Sequence, residues 1–124
     1  MRSYLRPTCL LAIAAACPGA ASAQSSPAPA KAVFAQRCQM CHTNDANGRQ
    51  GIGPNLYGLN GRAAGTQKGF AYSSAIKASG VQWNSASLDK FLQGPNKMIP
   101  GTRMVVTVPD AKTRTLIVQY LTKK

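Results

Sequence analysis

Five consecutive residues, Cys38-Gln39-Met40-Cys41-His42, carry the most pointed chemistry in this 124-residue chain. Two thiols three positions apart lie on one side of a helical turn. Each can add to one vinyl group of a haem. The histidine directly after the second cysteine is then carried over the iron and can ligate it. Cys-x-x-Cys-His is the haem-attachment spacing. Thiol–disulfide exchange also uses Cys-x-x-Cys. That chemistry would bring a βαβ pattern around the motif, and the flanking sequence has none. A local disulfide or a partial zinc site are the remaining readings. A closed zinc site takes four ligands, and here two cysteines and the single histidine fall within one turn.

His42 is the only histidine, so two-histidine ligation within one chain is excluded. A sixth iron ligand must be another residue, a small molecule, or nothing. Met40 sits inside the attachment turn and cannot reach the opposite haem face. Met98 and Met104 both lie in a Pro/Gly-rich stretch near the C-terminal end. A methionine there is ordinarily packing, and residue type alone does not choose between these two.

The elements that must position these groups read as short helices. Alanine-rich sequence predicts a helix from Pro29 to about Met40, with Val33 and Phe34 on one face. Residues 43–69 are rich in Gly, Asn and Gln, a long irregular stretch. A loop of that length in a compact domain has a use, such as wrapping a bound group. A short helix is expected over 72–79, closed by Gly80. Another starts near Asn84 or Ser85, shows Leu88, Phe91 and Leu92 as an apolar stripe, and ends at Gly94-Pro95. A loop follows over 96–106. A last helix is expected from 107–109, with Thr107 and Asp110 spaced as a capping box and Pro109 in the first turn. Ile117, Tyr120 and Leu121 share one face of it. Val105, Val106 and Val108 are too few for a sheet. The fold class is all-α, three to five short helices with long loops around one haem.

The N-terminus has the order of a secretory signal. Arg2 and Arg6 precede the apolar run 9–16, and Ala21-Ser22-Ala23 offers a cleavage pattern before Gln24. The run is too short for a transmembrane span, which needs about 20 residues. A lipid anchor at Cys17 fits poorly, because alanines alone precede it. The expected division is a cleaved segment 1–23, a flexible leader 24–30, and one domain over 31–124. Cys9 and Cys17 would leave with the signal, so only Cys38 and Cys41 remain and a multi-disulfide scaffold is excluded. A domain so small has a modest core, which a large apolar cofactor would extend.

The chain holds 15 Lys and Arg against 3 Asp and Glu, a formal net charge of +12. Such a field attracts acidic surfaces and speeds encounter. The positives are dispersed, with no basic run beyond Lys123-Lys124, and an exported protein rarely meets nucleic acid. The expected partners are acidic surfaces of redox proteins or membrane-bound respiratory complexes, not nucleic acid.

Beyond these readings, the sequence resembles class I cytochrome c, the mitochondrial and cytochrome c2-like branch. The resemblance runs from Ala30 to Lys124. It rests on Cys-Gln-Met-Cys-His-Thr at 38–43, Gly-Pro-Asn-Leu-Tyr-Gly-Leu-Asn-Gly-Arg at 53–62, and Gly-Phe-Ala-Tyr-Ser at 69–73. Trp83, Leu88-x-x-Phe91-Leu92-x-x-Pro95 and Pro-Gly-Thr-Arg-Met at 100–104 complete it. The resemblance implies that Met104 is the axial ligand opposite His42 and that the Pro54 carbonyl accepts a hydrogen bond from the His42 ring. It implies that Arg62, Tyr72, Ser73 and Trp83 contact the haem propionates, with Thr102 near one of them. Phe34 and Tyr120 match the pair where first and last helices cross, with Ala30 in place of the usual glycine. Phe91 stands where many members carry a tyrosine, Ile76 where an asparagine is frequent, and Met98 where an aromatic is common. The last helix aligns with a one-residue deletion between Met104 and Arg114.

The function implied is a soluble periplasmic monomer, not an enzyme, that carries single electrons on one covalently attached haem c. A filled His/Met iron has a raised potential and little to rearrange. Lysines and arginines such as Lys68, Lys97 and Arg103 are expected around the exposed haem edge. Donors would be a quinol-oxidising complex or a dehydrogenase, and acceptors a terminal oxidase or its like. Two alternatives stand beside this: a haem subunit bound to one dehydrogenase, and a peroxidase or gas sensor with an open iron.

Overall fold

A computed structural model describes residues 27–123. The expected signal segment 1–23, its cleavage site and Cys17 lie outside the described residues. The described residues form five helices: α1 Pro27–Arg37, α2 Ser74–Ala78, α3 Ser85–Gln93, α4 Pro95–Met98 and α5 Ala111–Thr122. Among the described residues the only extended pairing is an isolated antiparallel bridge between Ala63 and Gln82. The all-α expectation holds. No helix among the described residues is long and apolar enough to cross a membrane.

Helix α1 differs from expectation at both ends. It starts at Pro27, so the later part of the segment read as a leader is helical. The helix stops at Arg37 rather than near Met40. The Phe34 carbonyl accepts from both Cys38 (2.8 Å) and Gln39 (3.2 Å), so the ladder slips by one residue and ends. The Cys38 carbonyl then accepts from Cys41 (3.0 Å) and His42 (2.9 Å), closing a tight turn on the motif.

The other helices are set by their caps. Ser73 Oγ accepts from Ile76 N, which leaves Tyr72 and Ser73 outside α2 and makes it shorter than expected. Asn84 caps α3 in a reciprocal box with Ser87, both bonds 2.9 Å. Gly94-Pro95 ends α3 as expected, yet Pro95 also opens the single turn α4 inside the stretch read as loop. Helix α5 begins later than expected. Asp110 is its cap, accepting from Thr113 N at 2.7 Å, and not the third residue of a box begun by Thr107. Aspartate outranks threonine as an N-cap.

Helix α5 buries Ile117, Val118 and Leu121 and crosses α1, where the Phe34 and Tyr120 rings meet at 4.9 Å. Ala30 is buried on α1. Helix α3 packs Leu88, Phe91 and Leu92 into the same core and lies against α5 and α4. Long loops, not helices, close the remaining sides.

One ion pair ties α3 to α5. Arg114 Nε donates to Asp89 Oδ1 at 2.8 Å, and Arg114 Nη1 donates to the carbonyls of Val108 and Pro109 just before α5. The hydrogen bond from Arg114 holds the Asp89 carboxyl below its ordinary value of 3.8. A lowered folded value adds stability above the unfolded value and loses it as pH falls through the folded one. Asp89→Asn should therefore lower stability at neutral pH by about 0.5–1 kcal/mol, a small effect because the carboxylate is partly screened by solvent. The same change should flatten the acid limb below pH 3.8. Thermal melts at pH 7 and pH 3 check both.

Candidate functional site

The loops and helices enclose an apolar cavity of about 470 Å³, a size typical of cofactor pockets. Every residue expected at the site lines it: Cys38, Cys41, His42, Pro54, Arg62, Tyr72, Ser73, Trp83, Thr102 and Met104. Leu88, Phe91 and Leu92 from α3 and Ile117 and Leu121 from α5 supply much of the apolar wall.

The thiols come from the turn after α1. Cys38 and Cys41 form no disulfide. Burial, with a smaller push from Cys41, raises the Cys38 thiol to about 11, and Arg37 only partly opposes this. An exchange enzyme needs a thiol shifted downward, toward thiolate. The environment here does the reverse.

His42 is held by two devices. Its Nδ1 donates to the Pro54 carbonyl at 2.8 Å. That bond assigns the proton to Nδ1 and leaves Nε2 with a bare lone pair for a metal. Burial lowers the His42 pKa, against a smaller upward push from the Pro54 bond, so the ring stays neutral. Gly53 is the second device. A Cβ at Gly53 would overlap Cε1 of the His42 ring and lie 2.7 Å from Nε2. Only glycine lets the backbone lie flat on the imidazole.

Asn55 holds the loop that carries Gly53 and Pro54. Its buried amide donates to the carbonyls of Asp45 (2.8 Å) and Gly48 (3.0 Å), and its Oδ1 accepts from Tyr57 N (3.0 Å). Sequence reasoning gave neither Gly53 nor Asn55 a role. The signal was the Gly-Pro-Asn run, a tight turn ending on a residue whose amide can bond several backbone groups.

The methionines separate by position. Met104 lines the cavity, Met98 packs against the core outside the lining, and Met40 is 88% exposed. Phe91 and Ile76 also line the cavity, so that wall is apolar where a phenol or amide might have stood. Trp83 is buried edge-on to Phe91, with ring centroids 5.0 Å apart. Arg62 is half-buried, and burial lowers its pKa while Tyr72 partly opposes that.

Charged and apolar side chains share the rim. Arg103 lines the mouth and donates to the Ala71 carbonyl at 3.1 Å, and Arg37 lines it too. Lys68 and Lys97 are exposed but lie outside the lining. Ile52, Val105 and Val106 are large, apolar, exposed and part of the lining. Periodicity could not find them, because they sit in loops.

The donor set fits a haem: two thiols and a neutral imidazole with a free Nε2 on one turn, a thioether in the same cavity, and apolar walls. A family model described as cytochrome c matches residues 27–123. The chain belongs to the cytochrome c family. It is 41% identical over 90 residues to cytochrome c of Gibberella zeae, covering 72% of this chain and 85% of that protein. It is 41% identical over 96 residues to cytochrome c2 of Rhodopila globiformis, covering 77% and 90%. Cytochrome c2 of Rhodomicrobium vannielii is 38% identical over 102 residues, covering 82% and 81%. Members of the cytochrome c family carry covalently attached haem c and transfer electrons without turning over a substrate. Cys38 and Cys41 have the attachment spacing.

Proposed function

We propose that the chain is an exported, periplasmic, monomeric single-haem carrier. It would take electrons from a quinol-oxidising complex or dehydrogenase and pass them to a terminal oxidase or similar acceptor. The observation that carries this reading is Met104 and His42 lining one apolar cavity with both thiols, while Met98 lies outside it.

Cys38 and Cys41 would hold haem c through thioethers, and His42 Nε2 and Met104 Sδ would ligate its iron. Haem c, when bound, supplies a one-electron couple. The Pro54 carbonyl keeps the proton on Nδ1 and fixes the ring plane. Leu88, Phe91 and Leu92 keep water from the site. Arg62, Tyr72, Ser73, Trp83 and Thr102 are assigned to the propionates, whose burial without partners would be costly. Phe91 and Ile76 leave the Met104 side without a polar neighbour of their own, which favours the thioether over water.

Arg37 and Arg103 line the cavity together with the exposed Ile52, Val105 and Val106, so cationic and apolar groups meet there at the surface. Transient redox complexes are small and charge-steered. Electron transfer to an acidic partner should slow by about tenfold or more as ionic strength rises past the point where the Debye length is about 10 Å. Stopped-flow rates across a salt series check this, and a rate flat in salt contradicts charge-steered docking.

A further inference from the structure

Arg62 meets only neutral acceptors. Its Nη1 donates to the Tyr57 carbonyl at 3.0 Å and to Oε1 of Gln67, and its Nη2 donates to the Asn55 carbonyl at 3.1 Å. No carboxylate among the described residues pairs with it. Of its five N–H donors, Nε–H and one on Nη2 have no protein partner. An unpaired cation is thus held on the cavity wall with donors to spare.

Two of its three anchors are backbone carbonyls and come with the fold. The third is a side chain. Gln67 does not itself line the cavity, yet its Oε1 accepts from Arg62 Nη1. It sits on the turn between Gly65 and Gly69. That turn has an anchor of its own: Gln50 Nε2 donates to the Lys68 carbonyl at 3.0 Å, while Gln50 Oε1 accepts from Asn55 N at 2.7 Å. The backbone around residue 67 therefore does not depend on the Gln67 side chain. Its amide is free to serve Arg62.

We propose that Gln67 is a positioning residue for electron transfer: its side-chain carbonyl holds the Arg62 guanidinium at the cavity wall, where the positive charge raises the reduction potential. This rests on the haem site proposed above. The step concerned is reduction of the ferric site to ferrous by one electron from an external donor, with no bond made or broken. A nearby cation favours the state with one more electron, and does so more strongly where water is excluded. Without Gln67, the guanidinium keeps only the Tyr57 and Asn55 carbonyls and can pivot about them toward solvent, which screens part of its charge.

The test is a mediator titration of the haem-loaded, secreted protein. Gln67→Met keeps the length and removes the acceptor. It should lower the equilibrium constant for reduction about threefold, about 28 mV at 59 mV per tenfold for one electron. The same change in an Arg62→Ala background should have no effect. Gln67→Glu restores the contact but neutralises the guanidinium. It should lower the potential further than Gln67→Met while returning the melting temperature to the wild-type value, a split that a purely structural role would not produce. Gln67→Glu also serves if Gln67→Met fails to fold. An unchanged potential in both variants, or an equal shift with and without Arg62, overturns the proposal. Absence of attached haem or of methionine ligation in the wild type overturns the underlying site instead, and the visible spectrum taken with each titration tells the two failures apart.

Discussion

Met104→Ala abolishes the weak far-red absorption band that arises from sulfur-to-iron charge transfer, and Met98→Ala spares it. The reduction potential of Met104→Ala should fall on the order of 0.2 V, within the roughly 0.8 V that axial ligands span. The physical reason is the softness of the thioether, which favours ferrous over ferric iron. Met104 lines the cavity, and Met98 is packed against the core beside it. Loss of Met98 should therefore appear as lost packing, about 2 kcal/mol of stability, with the potential unmoved. Spectra, potentiometry and thermal melts of the two variants check the pair. Loss of the band in Met98→Ala but not in Met104→Ala would reverse the ligand assignment.

Gly53→Ala gives the second large effect. The added methyl would occupy the space of the His42 imidazole. The ring or the loop must then move. The loop is tethered by the Gly53 N to Cys41 carbonyl bond at 2.8 Å and by the Asn55 amide, so the strain has few ways out. Overpacking of this kind costs about 3 kcal/mol. In a domain near 100 residues that lowers the melting temperature by roughly 12–24 °C. The displaced ring should also lose its 2.8 Å bond to Pro54. The haem-loaded variant should then bind exogenous imidazole or carbon monoxide, which His42/Met104 ligation in the wild type would exclude. Gly53 is not among the glycines of positive φ, so its cost is overlap alone; Gly58→Ala, at φ +65 with nothing within 4 Å of the added Cβ, shows the contrasting cost of backbone strain without overlap.

Much of this site is legible in the chain because its chemistry is local. Cys38, Cys41 and His42 fall within one turn, so their spacing, read with the absence of a βαβ pattern around it, points to an attachment site. Helix α3 was equally plain, since Asn84 and Gly94 bracket an apolar stripe. The termini of α1 and α5 were less plain. Pro27 could open a helix or belong to a leader, and the slip at Phe34 depends on the turn that follows. Thr107 and Asp110 both make acceptable caps, and the stronger of the two, Asp110, takes the role by accepting from Thr113 N. Turn α4 is a single turn with no periodicity to detect.

The choice between Met98 and Met104 lay beyond residue type, because both are half-buried methionines in one Pro/Gly-rich segment. Resemblance to a known family named Met104, and the cavity separates the two physically. Gly53, Asn55 and Gln67 act through backbone contact and hydrogen bonds across the loops. Those relations depend on how residues 43–72 fold back on themselves, which no pattern of apolar residues encodes. The rim shows the same limit. Charge counts pointed to lysines and arginines in general, with Arg103 among them, yet only the path of the loops brings Arg37 and three apolar side chains to the lining beside it.

The His42/Met104 site is tested most directly by one reduced-minus-oxidised absorption spectrum of the purified protein, extended into the near infrared and repeated under carbon monoxide. The expected result is a low-spin c-type haem that resists denaturing extraction, with the sulfur-to-iron band present in the oxidised state and no change on adding carbon monoxide. A haem that extracts into acid acetone, or a spectrum lacking that band and shifting at once with carbon monoxide, would contradict it.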